Sequence, residues 1–436
     1  MKSPMDALEA LMGEVWVTGD NFGLSVPADP EALLAGGAEF LTTAFRAAGV
    51  LGENNRVTAI VNSEEFFDGG SGKKLKLTVS YERPDTDLPE RLFVKFSRHF
   101  DNALWDSAKH MMVSEVNFAL LSRSPDFPVM VPRFMFADVE STSETGLIIT
   151  ELIPYGEGNV EPPHPKCMDY LLDDPVEYYR AIFSSLGRLS GAHRAGKLSA
   201  EFDELFPDAE QGSAQFRARA SHEQLVMWAN RMFDFIERYP KLFPDHFQDP
   251  GMRKEFISYI ADVVTAKDRI NEILLSGRPK FVAFGHWNGN IDNCWFERDE
   301  QDVLQCGFID WANCGALPFT QIVSGALGCA EPYVWAQHLD EFLGIFLDEV
   351  QAQGGPALDL AEFSLHVRLS MASNFGISMA APVAVARDIA DIDAVSGPRD
   401  PIFRDLYTAR VLLHGTTNML ENWRAFKLGD LVRSLR

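Results

Sequence analysis

Polar side chains of the kinds that carry out chemistry are concentrated in one loop of this sequence. An apolar run at residues 281–284 predicts a short buried strand, and the polar or small residues that follow it are typical of a loop. The loop contains His286, Asn288, Asp292 and Asn293. Because binding and catalytic residues are often carried by loops on a rigid scaffold, these four residues are the first candidates for a site.

A hairpin predicted after this loop brings in a further carboxylate. The apolar runs 293–296 and 303–309 flank a charged turn and predict two antiparallel strands. In such a hairpin the start of the first strand lies beside the end of the second, so Asn293 and Asp310 should be neighbours. Amide and carboxylate oxygens are ligands that Mg²⁺ accepts when a nucleotide phosphate supplies the rest. The alternative is that Asp310 only caps a turn and Asn293 only begins a strand.

The order of these residues resembles that of a known family. The pattern His-x-x-x-x-x-x-Asn, a hairpin and then Ile-Asp-Trp is similar to the catalytic and metal-binding segment of the aminoglycoside phosphotransferase and choline kinase group, in its ecdysteroid-kinase-like branch. The usual form is His-Gly-Asp-x-x-x-x-Asn, followed by Ile-Asp-Trp or Ile-Asp-Phe. His286, Asn293 and Asp310 match it, but the family's catalytic aspartate falls on Asn288.

The resemblance covers residues 30–350 and implies the fold of protein kinases. This is a bilobal α+β fold with a small antiparallel-sheet N-terminal lobe and a large, mainly helical C-terminal lobe. The sequence supports such a boundary, because strand patterns dominate up to the apolar run at 146–154 and helical patterns dominate after it. We place the division at about residue 153, which gives lobes of residues 1–153 and 154–436.

The strand patterns of the N-terminal part surround a glycine-rich turn. Alternating residues at 57–61 and 75–81 predict two strands. Three glycines within residues 69–72 would let the backbone fold closely over a ligand, with free amides directed at phosphate. An ordinary glycine-rich hairpin is the alternative. The turn is not a Walker A motif, because no helix pattern follows it.

A lysine and a glutamate are predicted to form an ion pair. Lys95 interrupts the apolar strand 91–96, and Glu115 falls within the apolar stripe of the helix predicted at 107–122. A charge in such a place is costly unless it is paired. The two residues resemble the pair with which protein kinases brace the lysine that holds ATP phosphates. Alternatively, Lys95 lies at a sheet edge and Glu115 reaches water.

The composition limits the class of protein. The 436 residues are 46% hydrophobic, enough for two lobes. A formal charge of −24 argues against nucleic-acid binding and would suit a cationic small substrate. Five cysteines without C-x-x-C spacing indicate reduced thiols in a cytoplasmic protein. The sequence predicts neither a signal peptide nor a membrane segment, since no run reaches 18 uncharged apolar residues.

The resemblance implies ATP- and Mg²⁺-dependent phosphorylation of a hydroxyl group on a small molecule. The predicted catalytic residues are His286, Asn288 and Asp292, and the predicted metal ligands are Asn293 and Asp310. The residues implied for ATP, with adenine near the last two, are Gly69, Gly70, Ser71, Gly72, Lys95, Glu115, Glu151 and Ile153.

The asparagine at position 288 leaves three explanations open. An amide cannot accept the proton of the acceptor, although it can orient a hydroxyl. The chain is then an enzyme in which Asp292 or the substrate takes the proton, a nucleotide-binding pseudokinase, or an engineered inactive variant. A binding or scaffold protein on a kinase-like frame is a fourth reading, from a different class.

Overall fold

The computed structural model of the protein describes residues 14–66, 72–84, 87–206, 221–374 and 377–436. Within these ranges the chain forms two compact units. The first unit is built on an antiparallel sheet, and the second is mainly helical. The α+β class and the protein-kinase-like fold predicted from the sequence are confirmed in this respect.

The first unit holds seven strands and four helices among its described residues. The strands are β1 (Trp16–Thr18), β2 (Ser25–Pro27), β3 (Val57–Phe66), β4 (Lys74–Tyr81), β5 (Arg91–Phe96), β6 (Phe134–Glu140) and β7 (Thr145–Glu151). The helices are α1 (Pro30–Ala47), α2 (Ala103–Asp106), α3 (Met111–Leu121) and, later in the chain, α5 (Phe202–Leu205).

Five of these strands form one sheet in the order β3-β4-β5-β7-β6, and every neighbouring pair is antiparallel. Its central strand, β5, carries Lys95, which lies opposite Lys74 of β4 and Ile148 of β7. One apolar side of the sheet packs on α1, which begins at Pro30. There the Asp29 carboxylate accepts a hydrogen bond of 2.8 Å from the Ala32 amide.

The second unit contains the predicted catalytic loop. Its strands are β8 (Val282–Gly285), which pairs with β11 (Gly315–Pro318), and β9 (Cys294–Arg298), which pairs with β10 (Leu304–Phe308). Its helices are α4 (Pro175–Arg194), α6 (His222–Arg238), α7 (Pro250–Ser276), α8 (Phe319–Leu327), α9 (Pro332–Ala352), α10 (Leu360–Ser373), α11 (Ala381–Asp388), α12 (Tyr407–Ala425) and α13 (Leu428–Arg433). The buried strand and the hairpin predicted around the loop are both present.

The two units are not continuous in sequence. The first comprises the described residues of Met1–Pro162, Leu198–Ala209 and Gly307–Gly315, and the second comprises the rest. The sequence predicts a single division at about residue 153, and the first change of unit falls after Pro162. The later return matters for function, because it places Asp310 in the same unit as Lys95.

The stretch of residues 360–388, in which 375 and 376 lie outside the described residues, has the length and apolar composition of a membrane-crossing helix. It comprises α10 and α11, and residues of both helices belong to the hydrophobic core of the second unit. Core helices of water-soluble proteins share this composition.

Candidate active site

The centre of the candidate site in the first unit is the side chain of Lys95. Its ammonium donates to both carboxylate oxygens of Glu115, at 2.9 and 2.7 Å, and to Asp310 Oδ1 at 2.7 Å. Lys95 is 5% exposed and Glu115 is 7% exposed. The Asp310 side chain is 45% exposed. A buried cation is thus shared by two carboxylates, one enclosed and one open to solvent.

Two members of this cluster, Lys95 and Glu115, have raised pKa values, for different reasons. Burial disfavours the ammonium, but the carboxylates of Asp310 and Glu115 outweigh that effect and raise the pKa of Lys95. Burial also raises the pKa of Glu115, although Lys95 opposes it. Lys95 therefore remains an ammonium ion at neutral pH, as a group that binds phosphate has to be.

The segment that carries Asp310 is packed on helix α3, which carries Glu115. The Trp311 ring stacks on the Phe118 ring with centroids 3.7 Å apart. The backbone N–H of Asn313 donates a hydrogen bond of 3.0 Å to Ser114 Oγ. These contacts anchor the residues that follow Asp310, whose backbone φ is 58°. Aspartate and asparagine adopt this left-handed region more readily than most residues.

Gly72 is the one predicted phosphate-loop residue within the described chain, since Gly69, Gly70 and Ser71 lie outside the described residues. Its φ is +58°, and a Cβ atom placed on it would lie 1.7 Å from the carbonyl oxygen of Phe96. The chain therefore needs glycine here, where it turns into β4 beside the end of β5.

Replacing Gly72 with alanine is expected to lower the free energy of unfolding by more than the roughly 1–2 kcal/mol of a left-handed alanine, because the backbone of β5 must also shift. Denaturant unfolding measures the difference. Gly52→Ala is the matched control, since nothing lies within 4 Å of its added Cβ. Equal stabilities of the two variants would contradict the expectation.

The two residues implied for adenine lie at the end of β7 and just after it. Glu151 ends the strand and its carboxylate accepts a 2.8 Å hydrogen bond from the Arg133 amide. Ile153 is buried. Their role toward adenine stays a prediction.

In the second unit, hydrogen bonds among asparagines fix the loop after β8. The backbone N–H of Asn288 donates a hydrogen bond of 3.1 Å to Nδ1 of the fully buried His286, so this ring nitrogen carries no proton. Asn290 Nδ2 donates to Asn288 Oδ1 at 2.5 Å. Asn293 Nδ2 donates to the Asn288 carbonyl at 2.8 Å. Because the Asn293 nitrogen bonds within the loop, its oxygen is the atom that a cation would meet.

Asp292 lies in the same loop and pairs with a lysine from a distant segment. Its Oδ2 is 3.4 Å from Lys166 Nζ, and the lysine side chain is 10% exposed against 20% for the aspartate. Burial disfavours the Lys166 ammonium, but neighbouring groups that include Asp292 and Tyr407 outweigh it and raise the pKa of Lys166. Asp292 is therefore a partly exposed carboxylate held by a buried cation.

A second buried carboxyl lies near this pair. Burial raises the pKa of Asp169 to about 7, although the Tyr179 hydroxyl donates to it at 2.5 Å and opposes the shift. Asp292 is among the negative charges that add to this rise. The neighbourhood of Asp292 is thus rich in ionisable groups.

The donor chemistry of the predicted metal ligands fits Mg²⁺. In the described part of the chain, no group of three or more His, Cys, Asp and Glu side chains could hold a metal ion. Mg²⁺ usually takes only one or two protein ligands and completes its shell with phosphates and water. The Asn293 amide oxygen and the Asp310 carboxylate suit this mode. They belong to different units. That the two residues bind one cation together stays a prediction.

Sequence reasoning missed two residues of the candidate site. Lys166 lies in a proline-rich stretch with no periodic pattern, and its partner is more than a hundred residues away. Asn290 is, by residue type alone, one more polar residue of the loop. A signal for Asn290 did exist, because three asparagines within six residues favour hydrogen bonding inside a loop.

The chain is similar to solved structures of small-molecule kinases over most of its length. One is a choline kinase from Cryptosporidium parvum Iowa II, which is 11% identical with a TM-score of 0.39 and is matched over 91% of this chain and 95% of that one. An ethanolamine kinase from Plasmodium vivax is 9% identical with a TM-score of 0.38, over 94% of each chain. A microcompartment-associated aminopropanol kinase is 13% identical with a TM-score of 0.34, over 89% of this chain and 98% of that one.

No family model matches the sequence. No curated protein matches it either. The similarity to choline kinases predicted from the sequence is thus found among solved structures, and the ecdysteroid-kinase-like branch stays a prediction.

Proposed function

We propose that this protein is an ATP- and Mg²⁺-dependent phosphotransferase that phosphorylates a hydroxyl group of a small molecule. The observation that carries the proposal is the buried Lys95 ammonium, held by Glu115 and Asp310. Protein kinases require a strand lysine paired with a helix glutamate, together with an aspartate for the metal. A buried cation with a solvent-open carboxylate beside it suits the binding of a metal–triphosphate.

Each candidate residue has a role in this proposal. When bound, Mg-ATP supplies the γ-phosphoryl group and shields its charge. Lys95 would hold the α- and β-phosphates, and Gly72 would lie in the segment that covers them. Asn293 and Asp310 would supply the protein oxygens for the cation. His286 keeps the loop in place by accepting a hydrogen bond from the backbone N–H of Asn288.

The transfer itself requires one proton acceptor. The acceptor oxygen forms a bond to the γ-phosphorus while the bond from that phosphorus to the β–γ bridging oxygen breaks, which gives a phosphate ester and ADP. The hydroxyl proton passes to the Asp292 carboxylate, since the Asn288 amide cannot take it. Asn288 orients the hydroxyl instead.

The acceptor that we propose is a small hydroxylated cation. The formal charge of −24 favours the approach of a cation over that of an anion. We also propose a cytoplasmic location, because all five cysteines are buried free thiols, as a reducing compartment would keep them.

Mg-ATP is expected to raise the melting temperature, because a ligand that binds only the folded state stabilises it by about 2.7 kcal/mol at 100 times its Kd. A thermal melt with and without Mg-ATP measures this. Mg²⁺ alone and ATP with a chelator are the controls. No shift at millimolar nucleotide would reject both the enzyme and the pseudokinase in favour of a scaffold.

Turnover separates the enzyme from the second candidate, a nucleotide-binding pseudokinase. That candidate is favoured by the Asn288 amide, whose oxygen is engaged by Asn290. ADP release is measured with Mg-ATP and, in turn, choline, ethanolamine, aminopropanol, glycerol and water alone as acceptors. A melting shift without any ADP release would assign the protein to the pseudokinases.

A further inference from the structure

Three separate segments of the second unit meet at Lys166. Its ammonium is 3.4 Å from Asp292 Oδ2 in the catalytic loop. Its backbone carbonyl accepts a 2.9 Å hydrogen bond from Arg410 Nε of α12. Tyr407, at the first turn of α12, also interacts electrostatically with the Lys166 side chain. The lysine is therefore fixed at both its backbone and its charged end.

Stability alone does not account for a lysine in this place. Lysine is almost never fully buried unless it is paired, and Lys166 is 8% exposed. Exchanging a buried ion pair for apolar residues is often neutral or stabilising, so such a pair is weak evidence for a stabilising role. What the pair does achieve is to set the direction of a carboxylate.

That carboxylate belongs to the loop on which the proposed transfer depends. Asp292 lies in a single 3₁₀ turn, Ile291–Asn293, between the orienting Asn288 and the proposed metal ligand Asn293. Its side chain is the more exposed partner of the ion pair. The lysine thus holds the carboxylate through Oδ2, whereas Oδ1 is buried.

We propose that Lys166 is a positioning residue for phosphotransfer, whose enclosed ammonium holds the Asp292 carboxylate in the direction of the acceptor hydroxyl. This inference rests on the proposed function. It adds to that function a residue from outside the catalytic loop that acts only through Asp292.

Lys166→Met is expected to lower kcat by about 10- to 100-fold, because a displacement of about 1 Å in a reacting group can cost that much. The KM for ATP should stay within twofold, since Lys166 has no role toward the nucleotide. The substrates are Mg-ATP and the acceptor with which the unaltered protein releases ADP fastest. The acceptors compared are choline, ethanolamine, aminopropanol, glycerol and water. Lys166→Arg should recover most of the lost kcat, because it keeps the cation.

A double variant separates positioning from a general structural role. If Lys166 acts through Asp292, Lys166→Met combined with Asp292→Asn is no slower than Asp292→Asn alone. Lys280→Met is the matched control, because this lysine of the same unit forms an exposed ion pair with Glu362. Thermal melts in Mg-ATP check that every variant is folded.

The possible outcomes lead to different conclusions. An unchanged kcat in Lys166→Met, multiplicative losses in the double variant, or no recovery with arginine would overturn the positioning role while the proposed function stands. Absence of ADP release by the unaltered protein with every acceptor, water included, would overturn the proposed function and the positioning role together. The expected pattern supports both.

Discussion

Replacing Lys95 with methionine is expected to lower the free energy of unfolding by about 3–5 kcal/mol at pH 8, because it leaves a buried carboxylate without its cation. Glu115 is enclosed and bonded to the ammonium through both oxygens, whereas Asp310 can turn to water. The same replacement is expected to abolish stabilisation by Mg-ATP. Denaturant unfolding and thermal melting measure the two effects.

The loss of stability should depend on pH. Burial raises the folded-state pKa of Glu115 from its usual 4.5, and Lys95 opposes that rise. Without Lys95 the pKa rises further, so the folded variant binds a proton more tightly than the unfolded chain does. A group of this kind loses its stabilising contribution as pH increases through the window above 4.5. The loss caused by Lys95→Met is therefore expected to be smaller at pH 5 than at pH 8.

Two further variants test this explanation. Lys76→Met removes a lysine of the neighbouring strand β4 whose ammonium is 3.8 Å from an exposed glutamate, and it should change stability by only about 0–1 kcal/mol. Lys95→Met with Glu115→Gln removes both buried charges and should recover most of the stability, but not the response to Mg-ATP. A Lys95→Met variant as stable as the unaltered protein at pH 8 would show that Glu115 does not depend on the pair.

The Lys95 cluster was predictable in part because its cause is local. A lysine in a period-two apolar strand and a glutamate in a helical apolar stripe each require a partner, and the chain offers these two in order. No local pattern predicts a contact of Lys95 with Asp310, which lies 215 residues further along the chain. The structure gives a direct 2.7 Å ion pair.

Other elements depend on packing that no local pattern reports. The return of residues 307–315 to the first unit rests on contacts such as the stacking of Trp311 on Phe118, almost two hundred residues apart. Strand β6 is buried at nearly every position, so it lacks the alternation that identifies a strand in sequence. Lys166 lies beside Asp292 only because the fold brings its segment together with α12 and the loop after β8.

The remaining large effect concerns Asp292, the proposed proton acceptor in the loop after β8. Asp292→Asn is expected to lower kcat by about 10²–10⁴-fold, the range in which a general base contributes. Asn288→Asp is expected to raise kcat, because it places a carboxylate where the family that the sequence resembles has its catalytic aspartate. The new carboxylate can still accept from Asn290 Nδ2, as the Asn288 oxygen does now, so the loop should keep its geometry. Steady-state ADP release measures both variants.

The double variant with Asp292→Asn and Asn288→Asp is the sharper test. If a carboxylate in this loop takes the proton, Asn288→Asp should rescue Asp292→Asn by moving the base within one fixed loop, while the KM for ATP stays unchanged. If Asp292→Asn keeps full activity, the base is neither residue. Because the transition state of phosphoryl transfer is loose, the acceptor would then lose its proton late, to water or to the phosphoryl group itself. Catalysis in this protein would rest on the charge held at Lys95 and on positioning alone.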